Sequence, residues 1–455
     1  LKKIVWIAVL LGLVLGAAPL AIGKLAEQRV DKGLDQLLAA APYLSIVERR
    51  YSSGWFSSEQ VVTFELFGPW TRALQSALPA QNAMPVPESP SSRQPQLQFT
   101  VRNEIHHGPV LGAALGIARI DSHIVWSDAV RSWMRDAFGE KEPFAISTRI
   151  GFFGGATTVF SSEARTVKDP HGKDLVSWDD ARLVIGYSRN FDRVDAQGQW
   201  PRAHITNAGL GENLLIRGMS VSGAAKRLRG DVYEGNAVVS IEQIEGVSGS
   251  DEKLEVSNLS YRIDTTEHGD FIDAAVKLGA GPIEARAQSF KDAHYDFTLR
   301  RLHIETLAKM SEALKAAYRN PLDNADPYRT FGMQLLRHDP EFAIDRFSVS
   351  NAQGEGLIKG VIKLKGVTDA DLEAASLALI SKVVADIDID VSAAMLQKFM
   401  GQSAADNAVA QGYLIRSDGH LRAKLELADG KVKINGKSEG FPVFGAPKPQ
   451  PLRPE

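Results

Sequence analysis

Cysteine is missing from all 455 residues. Its absence excludes a disulfide scaffold, a thiolate zinc site, an iron–sulfur cluster and a cysteine nucleophile, and it suits an oxidising envelope compartment. Neither sign of charge dominates. A net charge of −3 gives no global basic field, so nucleic acid is not an expected partner.

Catalytic motifs are equally scarce. Serine hydrolase chemistry needs a Gly-x-Ser-x-Gly elbow or an equivalent nucleophile with its base, which neither Ser248-Gly249-Ser250 nor Ser220-Val221-Ser222-Gly223 supplies. The segment Gly151-Phe152-Phe153-Gly154-Gly155 is followed by no Gly-Lys-Ser or Gly-Lys-Thr, and reads as a hairpin turn rather than a phosphate loop. His106 and His107 are adjacent on a strand and point to opposite faces, so they cannot share one metal without local distortion. Gly108-Pro109 then ends that strand as a turn. Asp386, Asp388 and Asp390 alternate with Ile387 and Ile389, but the spacing lacks the glycine and distal glutamate of a calcium loop, so they read as a solvated strand face. Paired glycosidase carboxylates stay open among 55 acidic residues. No cofactor and no metal is expected.

What is present begins with Lys2-Lys3 and then a run from Ile4 to Gly23 without a charge. That length fits a bilayer core as a helix, so residues 1–23 are expected to be an uncleaved signal anchor and transmembrane helix, with a cleaved signal as the rival reading. Long C-terminal domains cross irrespective of the flanking lysines and arginines. The natural orientation therefore puts the amino end inside and the body outside.

Residues 24–67 read as a stalk helix, closed by Pro42, followed by a first hairpin through Gly54-Trp55-Phe56. Residues 68–96 carry Pro69, Pro79, Pro85, Pro87, Pro90 and Pro95 and read as an exposed loop. From 97 to 300, period-two alternation broken by turn residues predicts a long antiparallel meander. Residues 301–440 mix helices at 304–318, 369–379 and 393–410 with strands, and two Asp-Gly turns, at Asp418 and Asp429, signal hairpins. Residues 441–455 are a Pro-rich tail. The expected fold is therefore α+β: an extended twisted antiparallel sheet with amphipathic helices on one face, preceded by one transmembrane helix.

Four segments carry a family resemblance: the Lys-Lys-apolar start, Tyr51 with Gly54-Trp55-Phe56-Ser57-Ser58, Glu104-Ile105-His106-His107-Gly108-Pro109, and Asp429-Gly430-Lys431-Val432-Lys433-Ile434-Asn435-Gly436-Lys437. In this order the chain resembles the YdgA-like proteins of Gram-negative bacteria. Gly54, Phe56, Ser57, His107, Gly108 and Pro109 are the positions that match the motif. The resemblance implies a protein tethered to the inner membrane with its bulk in the periplasm and no established reaction. The architecture is also reminiscent of AsmA-like proteins associated with lipid movement, an analogy of fold alone.

The expected function follows from this architecture. An apolar sheet face incompletely covered by helices holds an acyl chain by burying methylenes at about 0.8 kcal/mol each. Trp55, Phe64, Phe99, Phe271 and Phe297 are the candidate lining. The expectation is a non-enzymatic envelope protein that binds a lipid or other hydrophobic ligand, or scaffolds partners. A periplasmic hydrolase acting on cell-wall or lipid material is the alternative. An exposed edge strand also allows a homodimer.

Overall fold

A computed structural model describes residues 22–69 and 98–438, apart from 113, 127–130, 133, 136–137, 140–141, 169–173, 208–211, 248–251, 286–287, 322–325 and 374–378. The architecture is mostly antiparallel sheet, with 61% strand and 21% helix. This corrects the α+β expectation: the helices expected at 304–318 and 393–410 do form, but segments of weak alternation at 193–207, 341–351 and 354–364 also pair as strands and make the chain mostly sheet. The expected transmembrane helix falls almost wholly on residues 1–21, outside the described residues. Among the described residues no helix is long and apolar enough to cross a membrane.

The chain forms two compact units. Unit 1 takes in residues up to Gly209, Arg217–Tyr233 and Ala308–Tyr328; unit 2 takes in Leu210–Ile216, Glu234–Leu307 and the chain from Arg329.

In unit 1, helix α1 (residues 22–40) precedes β1 (Leu44–Ser53), β2 (Ser57–Leu66) and β3 (Gln98–His107). A small hairpin of β4 (Val110–Leu111) and β5 (Ala114–Leu115) leads to β6 (Ala118–Val125), β7 (Ala145–Ile150) and β8 (Ala156–Ser162). Then come β9 (Arg165–Lys168), β10 (Asp174–Trp178), β11 (Ala181–Tyr187) and β12 (Arg193–Asn207). Spatial order is β1-β2-β3-β6-β7-β8-β11-β12-β10-β9, antiparallel at every step.

Alternation on β2 buries Ser58, Gln60, Val62 and Phe64 on one face. Helix α1 meets the same sheet through Ala26 and Val30, one turn apart, which pack with Ile105, Ile117, Ala118, Ile120 and Ile150. A polar chain runs through this interface. The amide of Gln60, 1% exposed, donates to Asp31 (3.4 Å) and accepts from Asn103 (3.1 Å), whose oxygen accepts from Ser122 (2.7 Å). Arg49 pairs with Asp31 at the helix end of this chain. Each member of this chain thus has a partner, as burial requires.

Elsewhere in unit 1, Ala308 lies against Gly230, and the Ser311 hydroxyl donates to Asp231 (3.0 Å) beside an ion pair from Lys315. Burial alone would raise the Asp231 carboxyl. The Lys315 ammonium and the Ser311 hydroxyl more than offset it and hold the group below its ordinary value.

Strand β13 (Glu212–Arg229) lies in unit 1 from Arg217 onward, and β14 (Val232–Val247), from Glu234 onward, opens the sheet of unit 2. It continues with β15 (Lys253–His268), β16 (Phe271–Ala280), β17 (Ile283–Ala285) and β18 (Gln288–His303). Helices α2 (Ile304–Arg319) and α3 (Pro327–Leu336) come before β19 (Glu341–Asn351) and β20 (Gly354–Leu364). Helix α4 (Asp369–Glu373), β21 (Val383–Ser392), α5 (Ala393–Met400) and α6 (Gln402–Ala410) follow, α5 and α6 parting at Gly401. The end is a meander of β22 (Ile415–Ser417), β23 (His420–Ala428), β24 (Lys431–Ile434) and β25 (Lys437–Ser438). Asp418-Gly419, Asp429-Gly430 and Asn435-Gly436 each have positive φ at both residues, the geometry of tight hairpin turns. Spatial order is β14-β15-β16-β18-β19-β20-β21-β23-β24-β25.

Candidate functional site

Register gives the unit 2 sheet one apolar face. Tyr261 stands opposite Leu278, Leu278 opposite Tyr295, Tyr295 opposite Phe347, Phe347 opposite Ile358 and Ile358 opposite Ile389. The next row on the same face runs through Ile263, Val276, Phe297, Ile344, Gly360, Ile387 and Leu425. A third runs through Ala274, Leu299, Phe342, Ile362, Ala385 and Leu427. With strands about 4.8 Å apart, the four positions from Tyr261 to Phe347 span roughly 15 Å.

Those four side chains are 38–47% exposed, unusually open for large apolar groups in one contiguous row. Tyr295 meets Phe347 edge-to-face at 5.7 Å and Phe297 at 5.2 Å, so the aromatics form one surface. The far end of the face is closed. There Leu421, opposite Val391, is fully buried among Ala393, Leu396, Ala405, Val409 and Leu414 of the α5–α6 region. The reverse face is ionic: Asp386 pairs with Lys424 (3.1 Å), and Asp390 with His420 (2.6 Å) and Arg422 (3.0 Å). The aspartate run is therefore a row of ion pairs. Among the described residues no group of three or more His, Asp or Glu is placed to hold a metal.

The expected lining residues do not form one site. Phe297 lies in the apolar rows. Phe271, also in unit 2, sits under the Arg301 guanidinium (4.8 Å) and beside His303 and His338, whose rings stack at 4.0 Å. Phe64 and Phe99 stack on each other at 5.2 Å in unit 1, and Trp55 is exposed at the β1–β2 turn of the same unit. Tyr261, Tyr295 and Phe347 escaped sequence reading because alternation identifies a face without identifying which rows lie open.

The His338 ring has a pH consequence. Burial, then the neighbouring charges of His303, Arg301 and Arg337, holds it below the ordinary value of 6.5. An unfolded chain takes up the proton that the folded ring resists, so this group's contribution to stability is present above the ordinary value and falls as pH drops below it. The opening equilibrium of the Phe271–His303 pair, read as hydrogen exchange divided by the intrinsic rate at each pH, should rise as pH falls from about 7 to about 5. His338→Phe should flatten that dependence.

The family-motif residues meet in unit 1. The Gly54 amide donates to the Ser57 carbonyl (2.9 Å), and a Cβ at Gly54 would stand 2.6 Å from that oxygen. The Phe56 carbonyl accepts from the His107 amide (2.9 Å), and Gly108 donates to Ile117 (2.7 Å). Pro109 accepts from Gly116 (3.1 Å). His107 Nδ1 lies 3.3 Å from the Trp55 carbonyl and Nε2 lies 2.9 Å from Ser58 Oγ. A carbonyl only accepts, so Nδ1 carries the proton and the Ser58 hydroxyl donates to Nε2. His106 projects from the other face toward Asp121 (3.4 Å).

A serine hydroxyl on a histidine nitrogen resembles a nucleophile and its base. Here Ser58 and His107 are 6% and 7% exposed, and Gly23 of α1 lies directly on the imidazole. No substrate reaches that bond, so the pair fastens the turn to the sheet. Nearby, the Tyr51 hydroxyl is buried without a well-formed hydrogen bond. Burial raises the phenol above its ordinary value, Ser58 opposes this and Glu27 adds to it. A depression of about 520 Å³ in unit 1 includes Arg102, His123, Trp126, Arg131 and Phe138. Three of its groups are engaged locally: Arg102 with Glu104, His123 with Glu142, and Arg131 with the Trp126 carbonyl.

Fold and site together define a β-sheet protein with one half-open apolar face and a buried polar motif cluster. Residues 1–438 match the family described as "Bacterial protein of unknown function (DUF945)", and the chain belongs to that family. No curated protein and no solved structure matches it.

Proposed function

We propose that this is a non-enzymatic envelope protein that takes up the acyl chain of a lipid on the apolar face of unit 2. It works at the inner membrane with its body in the periplasm. The observation that carries the ligand reading is the half-exposed row Tyr261, Leu278, Tyr295 and Phe347, flanked by two further apolar rows. Each methylene laid on such a surface contributes about 0.8 kcal/mol. The compartment rests on the resemblance to the YdgA-like proteins, on the absence of cysteine and on the uncharged stretch Ile4–Gly23.

Native mass spectrometry of the full chain purified from a Gram-negative host, with lipid extraction, tests the reading. A stoichiometric acyl lipid is expected. Phe347→Asp places a carboxylate in the middle of the row. Losing two methylene contacts at about 0.8 kcal/mol each lowers affinity by about tenfold. Recovered lipid should fall accordingly while far-UV circular dichroism is unchanged. A lipid-free chain, or equal lipid on the variant, would refute the proposal.

A further inference from the structure

Six strands of unit 1 end on one line. Register aligns Ser57 with His106, His107 with Ala118, Ala118 with Ile150, Ile150 with Ala156, and Ala156 with Tyr187. The turns at 54–56, 108–117 and 151–155 therefore emerge from the same end of the sheet. Each carries large apolar side chains outward: Trp55 and Phe56 on the first, Val110 and Leu115 on the second, Phe152 and Phe153 on the third, with Phe153 96% exposed.

The backbones of these turns are firmly held while their tips are exposed. Gly54 and Ser57 close the first turn, Gly108 and Ile117 brace the second, and Gly151 donates to Gly155 (2.8 Å) across the third. Rigid loops that expose aromatics have no packing reason to do so within unit 1. The first described residues of helix α1 lie at this end too, since Gly23 rests on the His107 ring. The uncharged residues Ile4–Gly23 thus join the fold at the edge that carries the exposed tips.

We infer that this edge is a bilayer-docking surface, the six tips entering the interfacial layer of a phospholipid membrane. A tryptophan and three phenylalanines with two aliphatics suit that layer, where amphipathic and aromatic rings sit at headgroup level. A water-soluble protein partner would leave unexplained why the uncharged stretch of sequence ends at Gly23, on the same edge. The inference rests on the membrane location proposed above and adds the orientation of unit 1 at that membrane.

Because the chain has no cysteine, one introduced thiol labels one position. Full chains carrying Phe153→Cys, Val110→Cys or, as a control on a polar turn, Ala164→Cys are labelled with an environment-sensitive fluorophore. They are mixed with vesicles of phosphatidylethanolamine and phosphatidylglycerol containing a doxyl-lipid quencher. Labels at 153 and 110 should shift to the blue and lose most of their emission to the quencher, and the label at 164 should do neither. Flotation of the same samples separates the two readings. A chain that floats with the vesicles but leaves all three labels in water overturns the docking edge and spares the membrane location. A chain that does not float overturns both. A blue shift without quenching places the tips against protein, a second copy of this chain, and overturns the bilayer inference.

Discussion

Replacing Gly108 by valine should destabilise unit 1 by about 3 kcal/mol. A Cβ there would stand 1.8 Å from the Gly116 carbonyl oxygen and 2.9 Å from its carbon. These are backbone atoms, and they cannot retreat. Gly108 is bonded to Ile117, Gly116 is bonded to Pro109, and a Cβ at Gly116 would itself be 2.6 Å from the Ile150 carbonyl. The two glycines therefore allow three backbone segments to pack where any side chain would force them apart. Overpacking of this kind costs about 3 kcal/mol or more, a large part of a domain's stability. Gly33→Ala is the control: nothing lies within 4 Å of its Cβ position on helix α1, so it should stabilise by about 0.5–1 kcal/mol through helix propensity. Denaturant midpoints read both. An unchanged midpoint in Gly108→Val would mean that the close approach is absent in solution.

The same region shows what a sequence makes legible. The strands at 98–107, 145–150, 181–187 and 383–392 stand out because apolar, β-branched and polar residues alternate through part of each and turn residues bound most of them. The Asp-Gly hairpins at 418 and 429 stand out because only a few residue types tolerate two successive positive φ values. By contrast, β12, β19 and β20 give a weak signal. In β20 the apolar face is interrupted by Gly356 and Gly360, which stand opposite Val391 and Ile387 where a larger side chain would be the expected marker. A Cβ at Gly360 would lie 2.5 Å from the Asp386 carbonyl, a requirement that exists only once the strands are paired. Period two reveals that a strand has an apolar face, but not which neighbours complete it. Hence Phe64, Phe99 and Phe297 look alike in sequence although Phe64 is buried, Phe99 stacks on it, and Phe297 belongs to the rows of another unit. The fold class needed correction for its proportions. Amphipathic helices do form at 304–319, 393–400 and 402–410, but β12, β19 and β20, which alternation marks only weakly, add strands that make the chain mostly sheet.

Removing the His107 ring should cost unit 1 about 2–4 kcal/mol, read by thermal unfolding, because it combines a cavity with two abandoned hydrogen-bond partners. Ser58→Ala should cost less, about 1–3 kcal/mol, since it leaves only Nε2 without its donor. The double variant should be much less destabilised than the sum of the singles, the signature of two groups that share one bond. A further substitution separates a structural fastening from simple burial. A Cβ at Gly23 would stand 2.6 Å from two atoms of the imidazole, so Gly23→Ala should destabilise the native protein by pushing the ring off Ser58 and the Trp55 carbonyl. In the His107→Ala background that obstacle is gone. There the same methyl group should be neutral or stabilising, since alanine favours the helix over glycine by about 1 kcal/mol. A sign change of this kind follows only if the helix rests on the imidazole. If Gly23→Ala has the same effect in both backgrounds, helix α1 does not seat on His107, and the motif cluster does not hold the amino-terminal helix to the sheet.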